Sequence, residues 1–168
     1  MTGTDQHQTL PGVVILSATP HYGNVIAALH AQNFDEAWSP FTVRQVMNMP
    51  GAFGLIAVTE ATVDAVDADL AGFALARTVG SECELLSLAV CAAKREHGLG
   101  QALLDGVIRC ATKAGVVSVF LEVAEDNIIA QRLYRSRGFA AVGRRAGYYR
   151  RSSGPAMAAL TYSLTLTH

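Results

Sequence analysis

Little in this sequence suggests a membrane-spanning, secreted or disordered protein. Its apolar runs, such as residues 13–16 and 71–76, fall far short of the ~20 residues that cross a bilayer. Lys and Arg are absent from residues 1–8, as is any leader-like apolar block, so no secretory signal is expected. Cysteine is scarce: Cys83, Cys91 and Cys110 are odd in number and never spaced C-x-x-C. That argues against a disulfide framework or a zinc site and fits a reducing cytoplasm. Charged residues make up only 16%, against 51% hydrophobic residues and a mean hydropathy of +0.27, a balance that excludes a solvating chain. Repeats, low-complexity tracts and Pro/Gly/Ser linkers are likewise missing. The 168 residues therefore read as one domain, residues 12–168, behind a flexible tail at residues 1–11.

Charge of one sign is also scarce in each half in turn. Before Lys94 there are nine acids and two arginines; from Lys94 onward there are eleven bases and five acids. A basic half suits an anionic ligand and an acidic half a cationic one, unless both are simply solvated faces.

The pattern of elements is β-α-α-β-β-β-α-β-α-β-β. Residues 12–16 form a first strand. Thr19-Pro20 and Ser39-Pro40 each pair an N-cap residue with proline at the first helical position. Residues 54–59 read as a strand, followed by an acidic insertion at residues 61–70. Residues 71–79 and 84–90 form a hairpin around Gly80-Ser81. Leu103, Leu104, Val107, Ile108 and Ala111 lie at helical spacing within residues 98–112. Residues 116–123 form a dense strand, Asp126-Asn127 cap a helix that closes at Gly138, and residues 139–143 and 157–166 end the chain as strands. This is an α/β domain, a mixed sheet with helices on both faces.

Arg95-Glu96-His97-Gly98-Leu99-Gly100 is the sharpest local signal. Two glycines before a helix let successive N–H groups converge, and the helix adds its own unpaired amides, so a pyrophosphate is the natural guest. A dinucleotide fingerprint fails, because Leu103 holds the third glycine position and seven residues separate Val90 from Gly98. His97 reads as a solvated loop residue. Glu122 shares a strand face with Ser118 and Phe120; at a strand's carboxyl end it is either a working carboxylate or a group that already reaches solvent. Tyr134, on the capped helix, is either a functional phenol or an amphipathic core residue.

Taken together, Leu88-Ala89-Val90, Arg95-x-x-Gly98-x-Gly100, Leu121-Glu122-Val123, Asn127, Ala130, Leu133-Tyr134 and Gly138-Phe139 resemble the GNAT superfamily of acetyl-CoA-dependent N-acetyltransferases. The spacing of Glu122, Asn127 and Tyr134, with Trp38-Ser39 upstream and Arg144-Arg145 before Tyr148-Tyr149, is similar to its ribosomal-protein-alanine branch.

The resemblance implies a mostly antiparallel sheet that splays open after the strand ending at Val90. It implies direct acetyl transfer in a ternary complex. Glu122 would be the base and Tyr134 the acid for the departing thiolate. Leu88, Ala89 and Val90 would bond the pantetheine, with the Val90 N–H polarising the thioester carbonyl. Arg95, Glu96, His97, Gly98, Leu99, Gly100 and Gln101 would hold the pyrophosphate, and Asn127 and Tyr134 would also touch acetyl-CoA. Trp38, Tyr148 and Tyr149 would meet the acceptor. That acceptor is expected to be a protein or peptide N-terminus, a ribosomal protein among the candidates. A lysine side chain or a small-molecule amine is the alternative, and a non-catalytic CoA-binding regulator is a third reading that the Glu122–Tyr134 pair disfavours. A cytoplasmic location is expected, and no metal, nucleic acid or membrane is expected as a partner.

Overall fold

The computed structural model describes residues 12–59, 70–149 and 153–167. The tail, nearly all of the acidic insertion, and Arg150 and Arg151 lie outside them. The elements follow the anticipated order: β1 (Val13–Ala18), α1 (Gly23–Asn33), α2 (Pro40–Met47), β2 (Ala52–Thr59), β3 (Gly72–Val79), β4 (Glu82–Val90), α3 (Leu99–Lys113), β5 (Ser118–Ala124), α4 (Ile128–Ser136), β6 (Ala140–Tyr149) and β7 (Met157–Thr165).

Local chemistry explains most boundaries. Ser39 accepts the Thr42 N–H at 3.1 Å and starts α2 at Pro40. Thr19 behaves differently: it makes no side-chain cap bond, and Pro20–Tyr22 wind into a 3-10 turn, so α1 starts only at Gly23. Val79 pairs with Glu82 across the two-residue turn at Gly80-Ser81, with Gly80 at φ +57°, a turn geometry suited to a hairpin.

One seven-stranded sheet runs in the order β1-β2-β3-β4-β5-β7-β6, and only the β4–β5 pair is parallel. Period-two alternation divides two cores. Ile15, Leu55, Ala57, Ala74 and Ala76 turn toward Leu99, Leu103, Leu104, Val107 and Ala111 of α3. Ile56, Val58, Phe73 and Leu75 turn the other way, toward Ile26, Leu29 and Val43 of α1 and α2. Each fully buried aliphatic side chain contributes roughly 1.5–3 kcal/mol. Gly106 lets α3 approach β2, since a Cβ there would lie 2.7 Å from Leu55 Cδ1.

Alternation breaks inside β4. Leu75 of β3 pairs with Ser87 but Ala76 pairs with Leu85, which leaves Leu86 as an extra residue on β4. Before it, Cys83 and Leu85 point into the α3 core; after it, Leu88 and Val90 do, while Ala89 and Cys91 face α1 and α2. No helix among the described residues is long and apolar enough to cross a membrane.

Candidate functional site

The sheet opens where the bulge sits. β4 and β5 pair from Glu82–Ser118 to Leu85–Leu121 and no further. Beyond that point Val90 stays with Gly72 of β3, while Glu122 stays with Thr161 and Ala124 with Ala159 of β7. The opening therefore begins inside β4, at Leu86, rather than after Val90 as the sequence suggested. Cys91 donates to Ala71 O at 2.8 Å, so by strand alternation the N–H and C=O groups of Leu88 and Val90 face away from β3 and into the opening. The Val90 carbonyl accepts from Arg95 Nε at 3.3 Å.

The loop before α3 supplies the second wall. Residues 92–98 are exposed, and Glu96 (φ +67°) and Gly98 (φ +77°) take left-handed backbone. Ala102 donates to Gly98 O at 3.0 Å, so the N–H groups of Leu99, Gly100 and Gln101 precede the first intrahelical bond. The two glycines serve different ends. Gly98 permits the turn; a Cβ on Gly100 would come 3.3 Å from Leu133 Cδ2 of α4 and 3.9 Å from Val90 Cγ2. Arg95 is turned toward α1, where its Nη2 donates to Asn33 Oδ1. His97 is exposed, as a solvated loop residue would be.

Glu122 and Tyr134 each meet residues of β6. Glu122 Oε1 lies 3.1 Å from Arg145 Nη2, and the Arg145 guanidinium lies 4.5 Å from the Tyr148 ring centroid. Tyr148 and Tyr149 pack edge to face at 5.2 Å. Burial, then the charges of Glu122 and Tyr148, push the Tyr149 phenol up to about 12. Tyr134 is 7% exposed, with Phe139 at 5.9 Å and Tyr162 at 6.3 Å between ring centroids. Burial, then Tyr149, raises its phenol to about 12, so it is protonated at neutral pH. Asn127 caps α4 by accepting the Ala130 N–H at 3.1 Å, which leaves its amide nitrogen as the atom a ligand would meet.

Several contributors escaped sequence reasoning. Glu84 pairs with Phe120, so Glu122 is its diagonal neighbour on one face. Burial, then the Glu122 charge, holds the Glu84 carboxyl above the usual range, while Arg77 across the strand pair pulls the other way. Ser87 shares that face through its partner Leu75; its buried Oγ has no hydrogen-bond partner among the described residues. Trp38 does not stand alone: its N–H donates to His30 Nδ1 at 3.1 Å and its indole stacks on the imidazole at 4.8 Å. Burial lowers His30 to about 4, so it is a neutral core residue. Glu122 thus meets Arg145, and Tyr134 has Tyr149 as its neighbour, while Trp38 belongs to an aromatic stack under α1. Residue spacing gave no signal for Glu84, since the bulge that exposes this face cannot be read from Leu85-Leu86-Ser87-Leu88.

Comparison with known proteins agrees with this geometry. A family model described as the acetyltransferase (GNAT) family matches residues 24–139. Over 85 residues the chain is 38% identical to the [ribosomal protein bS18]-alanine N-acetyltransferase of Escherichia coli (strain K12), covering 51% of the chain and 57% of that protein. The match thus spans little more than half the length of that curated relative. The N-alpha-acetyltransferase RimI of Mycobacterium tuberculosis is 36% identical over 136 residues, which cover 77% of the chain and 80% of that protein. The crystal structure of the Escherichia coli ribosomal-protein-S18-alanine N-acetyltransferase superposes with a TM-score of 0.81 at 25% identity, over 93% of this chain and 95% of that one. Arabidopsis thaliana NAA60 in complex with a bisubstrate analogue shares the fold at a TM-score of 0.81 and 21% identity, over 91% and 97%.

Proposed function

Because the chain belongs to the acetyltransferase (GNAT) family, we propose that it transfers an acetyl group from acetyl-CoA to the N-terminal α-amine of a protein. The observations that carry this reading meet on β6: the Glu122 carboxylate, from β5, lies 3.1 Å from Arg145, and the buried, protonated phenol of Tyr134, from α4, is raised further by Tyr149.

The residues present fit acetyl-CoA. Main-chain groups of Leu88 and Val90 line the opening as a strand edge with no neighbouring strand among the described residues, its Val90 carbonyl met only by Arg95 Nε, and an extended pantetheine arm would extend that edge. The left-handed turn at Glu96 and Gly98 and the free first-turn amides of α3 suit a pyrophosphate. Ser87 Oγ is a buried hydroxyl with bonding capacity to spare. When bound, acetyl-CoA supplies the thioester that the amine attacks.

The chain does the proton work. An α-ammonium ionises at roughly 7.7–8.0 and a lysine at about 10.4, so a modest base suffices only for the former near neutral pH. Glu122 takes that proton, directly or through one water. Tyr134 returns a proton to the departing thiolate, whose own affinity is near ~8.5 by analogy with cysteine. The Val90 N–H, facing the opening, would stabilise the developing oxyanion. Tyr148 and Tyr149 would wall the acceptor peptide, and the N-terminus of a ribosomal protein, the substrate named for the Escherichia coli relative, is the first peptide to assay.

The test compares a peptide having a small free N-terminal residue with the same peptide N-terminally blocked but carrying free lysines, and with small amines. The free α-amine should react fastest. Equal or reversed rates would reassign the acceptor to a lysine side chain or a small amine.

A further inference from the structure

We propose that Arg145 is a resident occupant of the acceptor seat: its guanidinium rests on the carboxylate that must receive the acceptor's proton, and the acceptor amine enters by displacing it. The geometry is specific. Arg145 Nη2 lies 3.1 Å from Glu122 Oε1, with the Arg145 side chain 60% exposed and that of Glu122 22% exposed. Glu84 adds a second negative group on the same face, so the position favours a cation.

The neighbouring arginine shows what a fixed pin looks like. Arg144 grips Glu125 through two nitrogens, Nε at 2.9 Å and Nη2 at 3.0 Å. Arg145 touches Glu122 through one, and its guanidinium already lies over the Tyr148 ring at 4.5 Å, which offers it a cation–π resting place when it leaves. The β6–β7 register shifts between Arg145 and Tyr149, so the strand beyond Arg145 is not held by a regular ladder.

Residue type matters as much as position. Arginine keeps its proton at any working pH and cannot act as a nucleophile. It therefore imitates the incoming ammonium without being consumed. A lysine in the same place would present a transferable amine to the same base. In that event the Nζ–C bond would form as the thioester C–S bond breaks; the ammonium would lose one proton to Glu122 or to water, coenzyme A would leave as the thiol with a proton from Tyr134, and the second proton shed by Nζ as the amide forms would restore the Tyr134 phenol.

An acceptor that must displace a competitor binds with its affinity scaled by the open fraction. A single-contact, partly exposed ion pair corresponds to a factor of about 1.5–5.

Two variants test this. With Arg145→Gln, the apparent KM for the acceptor peptide should fall about 1.5- to 5-fold, with the change carried by KM rather than kcat. A raised or unmoved KM overturns the proposal. With Arg145→Lys, incubation with acetyl-CoA and no acceptor at about pH 10, where a lysine amine loses its proton without help, should place one acetyl group at position 145, mapped by peptide mass spectrometry. A folded Arg145→Lys variant that still acetylates peptide but carries no label at position 145 overturns it as well. The inference rests on Glu122 as the base. If Glu122→Gln alone leaves peptide turnover unchanged, that reading fails; if it abolishes turnover while both Arg145 results are negative, only the occupant fails.

Discussion

Tyr162 donates its hydroxyl proton to Oε1 of Gln131 across 3.2 Å, and the glutamine amide nitrogen donates in turn to the carbonyls of Ala124 at 3.3 Å and Glu125 at 2.7 Å. Both residues are buried. One side chain of α4 thus fastens β7 to the end of β5, two residues past Glu122. Replacing Gln131 by Leu would keep the volume and strand these partners, at a cost of about 1–3 kcal/mol. The denaturation midpoint should fall with the slope unchanged; an unaltered midpoint would show that the network contributes nothing net.

Gly100→Glu should abolish acetyl-CoA binding and leave the fold in place. The new Cβ would press on Leu133 Cδ2 at 3.3 Å, a flexible side chain that can yield, but the carboxylate would stand among the amides that serve the pyrophosphate. Calorimetry giving wild-type affinity in a variant with a native circular dichroism spectrum would remove the loop from the cofactor site.

Glu122→Gln should lower kcat/KM by about 10²–10⁴, and the deficit should shrink as pH rises and more acceptor amine is already neutral. Tyr134→Phe keeps the stacking with Phe139 and Tyr162 and removes only the hydroxyl. Turnover should fall while acetyl-CoA affinity survives, and the deficit should be smaller with a donor whose leaving thiol is more acidic. An equal deficit with both donors would make Tyr134 a positioning group. The phenol, raised from 10.0 to about 12, stays protonated where the unfolded one ionises. Its contribution to stability is whole below about 10 and lost as pH climbs toward about 12. Thermal scans should show Tyr134→Phe flattening that alkaline decline.

His30 gives the opposite sign. Its folded imidazole is lowered from 6.5 to about 4, so between those values the unfolded chain binds a proton that the folded chain does not. Stability conferred above pH 6.5 should be lost as pH falls toward about 4. Protonation would also end the Trp38 N–H bond to Nδ1. Melting temperatures of wild type and His30→Gln across this range check it: parallel curves would contradict the assignment.

The parts of the fold that announced themselves were those with one buried face. Leu103, Leu104, Val107 and Ala111 of α3 are all fully buried, and their spacing alone located the helix. β6 illustrates the converse. The sequence suggested a strand ending at Gly143, yet it runs to Tyr149. As the outer strand of the sheet it is exposed almost throughout, so no alternation of apolar residues marks it. Glu122 and Tyr134 stand out in the sequence only through their place among spaced motifs that resemble the family, since each residue alone reads equally well as structural. The Arg145–Glu122 contact was not legible, because it joins positions far apart in the chain through a register that only the assembled sheet defines. His30 reads as one polar residue in an amphipathic helix, and only the stack of Phe34, Trp38 and Phe73 around it reveals its burial.

The extra residue on β4 has a consequence for how this protein can change. Losing Leu86 in a single-codon deletion would restore strict alternation along the strand. Leu88 and Val90 would still face α3 and Ala89 would still face α1 and α2, but without the bulge β4 could continue its ladder with β5 across the gap. Substitutions grade the properties of the opening residue by residue. A change of length at this one point removes it whole, so the lineage can tune the pocket by point mutation but cannot approach or leave it by small steps in chain length.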